Sequence, residues 1–252
     1  MTGSRLKALL VYALLTLITT PLLAFGTSKP NKLPTLVNYM QEKGFDINPL
    51  LEDSRFEIYE DIAERFKKSA EKKSHTLDSY KRILGFDSKA RQLDQFIEEH
   101  SEQLNKAEQQ YGISASVIAA IIGIESDFGR NIGSYNPFNA YVSMYANEYR
   151  QEFAKAQIVE LLEFTERHNI DVFELKSSYA GAMAYAQFIP YSLNKWFVGD
   201  DIFDMTNNIM SVANYLAYFK KRTGDIETAV LRYNPSSLYT QAVLDLAKQA
   251  RL

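Results

Sequence analysis

The amino-acid sequence predicts an all-α protein. Apolar residues recur three or four apart through most of the chain, the period of an amphipathic helix. No segment sustains the apolar–polar alternation of a half-buried strand. Glycine and proline are few, 11 and 7 in 252 residues, where a turn-rich β fold would use more.

A chain of this length can bury a sizeable core in one or two domains. The formal net charge of −3 excludes a strongly basic nucleic-acid footprint, so no nucleic-acid partner is expected. The absence of cysteine excludes disulfides, zinc–thiolate sites, a thiol nucleophile and a lipid-bearing N-terminal cysteine. His75, His100 and His168 lie among charged residues and are expected on solvated helix faces, not in a metal site.

The N-terminus reads as an export signal over residues 1–26. Arg5 and Lys7 form the positive start, LLVYALLTLI is the apolar stretch, and Ala24-Phe25-Gly26 places small residues where a signal peptidase reads. Thr16, Thr19, Thr20 and Pro21 make it a poor permanent membrane helix, although an uncleaved inner-membrane anchor remains open. Residues 27–34 (TSKPNKLP) read as a linker, and residues 35–252 as one helical region.

Helical patterning runs from Leu33 to about Lys73 with a turn at KGFDINP. It includes RFEIYEDIAERFKKSAEKK, with Phe56, Ile58, Tyr59, Ile62 and Phe66 as the apolar stripe. SKARQLDQFIEEHSEQLNKAEQQYG repeats the habit with Leu93, Phe96, Ile97 and Leu104, and Gly112 ends that helix. Ser114 reads as the N-cap of a helix beginning at Ala115. VIAAIIGI, residues 117–124, is apolar on every face, which marks a helix buried inside a larger assembly. Phe153 to Phe164, Met210 to Tyr218 and Ile226 to Leu246 also carry helical patterning.

Glu125 stands at the end of that buried helix. It leaves the helix on the side of Ile121 and Ile122, one turn earlier. A helix C-terminus and apolar surroundings both disfavour the ionised form, and a carboxylic acid kept protonated near neutral pH can give its proton to a leaving group. On position alone, a carboxylate that reaches solvent or pairs with an Arg or Lys is the plainer reading. The segments downstream shift the weight. SSYAGAMAYAQFIP, residues 177–190, sets small residues between aromatics, with Gln187 just before Pro190. LRYNPSSLY, residues 231–239, puts Tyr233 and Asn234 before Pro235. Small residues allow close approach of a ligand or of another helix, and amide and tyrosine groups suit sugar hydroxyl and N-acetyl groups.

Together, YGISASVIAAIIGIESDFGR, SSYAGAMAYAQFIPYS, and SVANYL with LRYNPSSLYTQAV resemble the lytic murein transglycosylases of the B type. LVNYMQEKGFD, LDSYKRIL and LNKAEQQYG are similar to the N-terminal part of that family. The resemblance implies a goose-lysozyme-like helical core over residues 106–252, with an additional helical part, residues 35–105, packed on it. It implies cleavage of the β-1,4 bond between N-acetylmuramic acid and N-acetylglucosamine in peptidoglycan, leaving 1,6-anhydro ends. Glu125 is then the single acid/base. Ser178, Gln187, Tyr233 and Asn234 are implied substrate contacts, Tyr80 and Tyr215 are implied groove-lining tyrosines, and Tyr239 is a weaker candidate of the same kind. The implied partner is the peptidoglycan glycan strand, with cell-wall synthesis or division proteins possible but unspecified. The implied location is the periplasm, and no cofactor is expected.

The residues agree with a one-carboxylate scheme. A retaining glycosidase of the usual kind needs two carboxyl groups about 5 Å apart. Asp127 is the nearest candidate, but two residues turn a helix by about 200°, so it is expected to point away and to serve as a polar group near the helix end. The substrate's own N-acetyl group can stabilise the anomeric carbon instead. Departures from the family pattern are Ala184 and Ala186 for two glycines, Tyr191 for serine, Leu77 for tryptophan and Tyr149-Arg150 for paired arginines. Asp200, Asp201 and Asp204 in WFVGDDIFDM lack the spacing of a calcium loop, so no bound metal is expected. Two other readings stay open: a hydrolytic muramidase of the same fold, and a non-catalytic peptidoglycan-binding protein.

Overall fold

The structure is a computed structural model and describes residues 32–68 and 75–251. The proposed export signal, residues 1–26, and residues 27–31 of the proposed linker lie outside the described residues. From Lys32 onward the chain clusters as one compact unit. Its regular structure is helical. Tyr135, Ser177, Met183 and Phe188 form isolated β-bridges, and no strand occurs among the described residues. None of the described helices is long and apolar enough to cross a membrane.

The N-terminal elements are α1 (Leu33–Glu42), α2 (Asn48–Glu52), α3 (Ile62–Lys68), α4 (Leu77–Leu84), α5 (Phe86–Glu99) and α6 (Ser101–Tyr111). Helix α1 begins inside the segment read as a linker, because Pro34 falls in the first turn, where its missing N–H costs nothing. The helix expected through RFEIYED does not form before Ile62. Its backbone is bonded to distant side chains instead: the Tyr59 N–H donates to Ser143 Oγ at 2.8 Å, and Asn139 Nδ2 donates to the Arg55 carbonyl at 2.9 Å. Phe56 meanwhile packs edge-on against Phe138, 6.0 Å between ring centroids. The single helix expected through residues 88–111 is broken at His100 (φ −116°) into α5 and α6. The bend turns Leu104 and Ala107 inward on a new axis, while Leu93, Phe96 and Ile97 stay buried along α5. His75, His100 and His168 are all half-buried, so the expectation of solvated faces fails for the three; His100 and His168 lie against Phe96 and Phe164, one turn earlier in each case, at 4.6 and 4.3 Å.

Helix α7 (Ala115–Ser126) is the central rod. Val117 through Gly123 are all buried, and α5 and α6 pack on it together with α11 (Met205–Thr223) and α13 (Ser237–Ala247). An all-round apolar helix has no face to show water, so it is stable only when neighbours cover every side. Ser114 does sit at the N-cap, but its hydroxyl meets Ser116 Oγ; the Glu108 carboxylate of α6 takes the Ala115 N–H instead, at 3.1 Å.

The rest of the fold is α8 (Pro137–Ala146), α9 (Gln151–His168), α10 (Pro190–Trp196), α11, α12 (Ile226–Tyr233) and α13. Side-chain caps set several starts: Asn136 for α8, Asp204 for α11, Asp225 for α12 and Ser236 for α13. The helix expected over Ile226 to Leu246 is therefore two, parted at Asn234-Pro235. Residues 177–189, with their run of small side chains, are neither a helix nor a helix crossing. They form a strap of tight turns held by the bridges above. Gly181 has φ +79°, and a Cβ there would lie 2.2 Å from the Tyr141 ring, whose hydroxyl donates to the Gly181 carbonyl at 3.0 Å. Only glycine fits that approach.

Candidate active site

The end of α7 is fastened from three directions. Ser126 is buried; its hydroxyl donates to the Ile122 carbonyl (3.1 Å) and accepts the Gly129 N–H (3.0 Å). Asp127 closes the helix in the left-handed region, φ +53°, and its carboxylate pairs with the buried Lys89 of α5 (2.8 Å) and with Arg130 (2.9 Å). Lys89, with Arg130 beside it, holds the Asp127 carboxyl below the usual aspartate value. Phe128, also at positive φ, +58°, folds its ring over Gly123, where an added Cβ would meet the ring at 2.6 Å. Asp127 is thus committed to holding the helix end and does not line the cleft.

Glu125 is half-buried and lines a cleft of about 530 Å³. Tyr80, Ser178, Gln187, Tyr233 and Asn234 line the same cleft. Helix α4 supplies Tyr80, the strap supplies Ser178 and Gln187, and the end of α12 supplies Tyr233 and Asn234. Ser178 Oγ accepts the Ala182 N–H at 3.2 Å, closing a turn, and keeps its own O–H for the cleft. Gln187 sits at φ +48° with Nε2 donating to the Ala184 and Ile132 carbonyls at 2.9 and 3.4 Å, which leaves Oε1 as an acceptor. Asn234 caps α12 in extended conformation, so its side chain leaves the helix where the chain turns toward α13.

Two phenols are fixed beside the acid. Tyr239 Oη donates to Glu125 Oε1 at 2.5 Å, and Tyr233 Oη donates to the Ala186 carbonyl at 2.6 Å. Burial, and next the Glu125 carboxylate, push both phenols well above the ordinary tyrosine value. Both therefore stay protonated donors across any working pH.

Tyr215 differs from the sequence expectation. It is buried behind the wall and does not line the main cleft: its hydroxyl donates to the Arg232 carbonyl at 2.6 Å, and its ring packs against Trp196 and Tyr233 at 4.7 and 4.9 Å. It supports Tyr233 from behind. Tyr239, the weaker tyrosine candidate, is the one bonded to Glu125, and among 16 tyrosines nothing in its spacing sets it apart. Sequence reasoning missed Phe66, Ile83 and Tyr179, which line the apolar side of the cleft; Ile83 is 52% exposed, an anomaly that appears only once the fold is known.

Two of the three acids of WFVGDDIFDM are engaged in local structure, and Asp200 is exposed. Asp201 Oδ1 accepts the Phe203 N–H, and Asp204 Oδ1 caps α11 through the Asn207 N–H, each at 2.8 Å. Among the described residues no three metal-ligating side chains converge.

Comparison with known proteins places this geometry. Residues 35–228 match the family profile described as transglycosylase SLT domain. Membrane-bound lytic murein transglycosylase B of Escherichia coli K12 is 34% identical over 127 residues, 48% of this chain and 35% of that protein, so the match spans about a third of the relative's length. Among solved structures, the soluble lytic transglycosylase SltB1 of Pseudomonas aeruginosa superposes with a TM-score of 0.78 at 24% identity, over 86% of this chain and 98% of that one. SltB3 of the same organism, solved in complex with NAG-NAM-pentapeptide, gives 0.76 at 19% identity, over 86% and 79%. Such likeness establishes the lysozyme-like helical fold.

Proposed function

From the premise that this chain belongs to the transglycosylase SLT domain family, we propose that it is a lytic transglycosylase cutting peptidoglycan glycan strands, with Glu125 as its single acid and base. The observation that carries this reading is the lining of the cleft: among the described residues around it, Glu125 is the one carboxylate. A glycosidase with a protein nucleophile, or with a base that activates water from the opposite face, needs a second carboxyl group across the bond. A reaction in which the substrate supplies its own nucleophile does not.

The steps balance without added water. Glu125 gives its proton to the oxygen bridging N-acetylmuramic acid to N-acetylglucosamine, and the bond to the anomeric carbon breaks. The departing N-acetylglucosamine keeps the proton as its hydroxyl. Glu125, now ionised, takes the proton of the muramic acid C6 hydroxyl, whose oxygen bonds to the anomeric carbon. The acid is regenerated and the strand ends in a 1,6-anhydro ring. Tyr239 donates to Glu125 Oε1 and so holds the carboxyl group in place beside the sugar. Gln187 Oε1, the Ser178 hydroxyl and Asn234 offer the acceptors and donors that fix sugar hydroxyl and N-acetyl groups. Tyr80 and Phe66 present apolar rings to the sugar faces.

The proposed substrate class is the one named in the SltB3 complex, a glycan carrying a pentapeptide. An export signal at residues 1–26 would deliver the protein to the periplasm, where that substrate lies. The reading is tested by mass spectrometry of the ends released from purified sacculi. Anhydro-muramic ends, one water lighter than hydrolysed ends, are expected. Reducing ends alone would make the protein a muramidase, and intact sacculi would leave it a binding protein.

A further inference from the structure

A second, smaller cavity of about 140 Å³ adjoins the wall of the cleft. The two share Gln187 and Tyr233, and the smaller adds Ser192, Tyr215 and Arg232. Arg232 is its one charged side chain, exposed on the last turn of α12 and without an ion-pair partner among the described residues. Ser192 is 9% exposed, yet its hydroxyl makes no hydrogen bond to the described residues. Tyr215 spends its own hydroxyl on the Arg232 carbonyl, which fixes the backbone that carries the guanidinium. The cavity is therefore lined by an arginine without an acid partner among the described residues and by a nearly buried serine whose hydroxyl is uncommitted, with no acid in the lining.

We propose that Arg232 and Ser192 form a carboxylate-binding subsite joined to the cleft through Gln187 and Tyr233. A planar carboxylate takes two parallel bonds from a guanidinium, and a hydroxyl beside it supplies a third donor. This rests on the reading of the cleft as a glycan site. Muramic acid bears a lactyl ether whose carboxyl is either free or amidated to a stem peptide with carboxylates of its own, so the glycan presents this chemistry in two ways.

The experiment measures binding to Glu125→Gln protein, which holds strands without cutting them. Three probes are compared: peptide-free glycan strands, peptide-bearing strands, and the neutral tetramer of N-acetylglucosamine. Arg232→Met in that background is expected to weaken carboxylate-bearing strands by about ten-fold, the scale of a charge-assisted pair. Arg232→Lys restores part of the loss, and binding of the neutral tetramer does not change. Loss on peptide-free strands identifies the lactyl carboxylate, and loss on peptide-bearing strands identifies the stem peptide; either result, or both, supports the subsite. Unchanged binding of all strands overturns it, as does an equal loss on the neutral tetramer. If the Glu125→Gln protein binds no glycan at all, the reading of the cleft fails and the subsite falls with it. Strand binding indifferent to Arg232 overturns the subsite alone.

Discussion

Tyr239 reaches back across 114 residues to donate a 2.5 Å hydrogen bond to Glu125 Oε1. The bond joins α13 to the end of α7 and fixes the Glu125 carboxyl group at the mouth of the cleft. A donor to the ionised form stabilises that form, so this phenol opposes the effects of the helix C-terminus and of burial, both of which favour the neutral acid.

Tyr239→Phe removes the donor and keeps the ring. Glu125 then loses the bond that fixes Oε1, and the rate of strand cutting should fall by about ten-fold while strand binding is kept, within the range of one positioned hydrogen bond. A rate identical to that of the parent would show that Tyr239 does not set the acid.

Gly123→Ala tests the seat of Phe128. Alanine is about 1 kcal/mol better than glycine inside a helix, so helix propensity alone predicts stabilisation. The added Cβ would instead meet the Phe128 ring at 2.6 Å. Overpacking costs about 1–3 kcal/mol, and we expect net destabilisation by urea unfolding, relieved when Phe128 is trimmed to leucine. A more stable Gly123→Ala protein would contradict this packing.

The Lys89–Asp127 pair is asymmetric, with side-chain exposures of 9% and 38%. Asp127→Ala strands a buried ammonium, whereas Lys89→Met leaves a half-exposed carboxylate still paired with Arg130. Asp127→Ala should therefore cost more, about 1–3 kcal/mol after discounting for the exposed partner. The Asp127 carboxyl lies below its ordinary 3.8 in the folded protein. Its contribution is thus complete above the unfolded value and is lost as pH falls through the folded one. The parent should lose stability below about pH 4, and Asp127→Asn should flatten that loss. Equal costs for the two variants, or an unaltered acid limb, would remove the pair from the account.

Helix α7 was legible in the sequence because an apolar run with no polar face has one stable location. Glu125, Gln187, Tyr233 and Asn234 were legible because their segments resemble a known family, and the structure brings them to one cleft. The stretch from Phe56 to Tyr59 was not, because its backbone partners are side chains of α8 more than 80 residues away, Ser143 and Asn139. Nor was the break at His100, which follows from where α6 must turn to reach α7 and α11. The places of Tyr215 and Tyr239 were not legible for the same reason: one hydroxyl points to the Arg232 carbonyl and the other to Glu125, and spacing along the chain does not record which way a hydroxyl points.

The measurement that bears most directly on the central claim is the rate at which Glu125→Gln releases ends from purified sacculi, with cooperative unfolding and strand binding checked in the same preparation. An amide holds the shape of the carboxyl but cannot give and retake the proton. The rate should fall by about a thousand-fold or more while the folded protein still binds strands. A variant that binds and cuts within ten-fold of the parent would contradict the assignment of Glu125 as the acid and base.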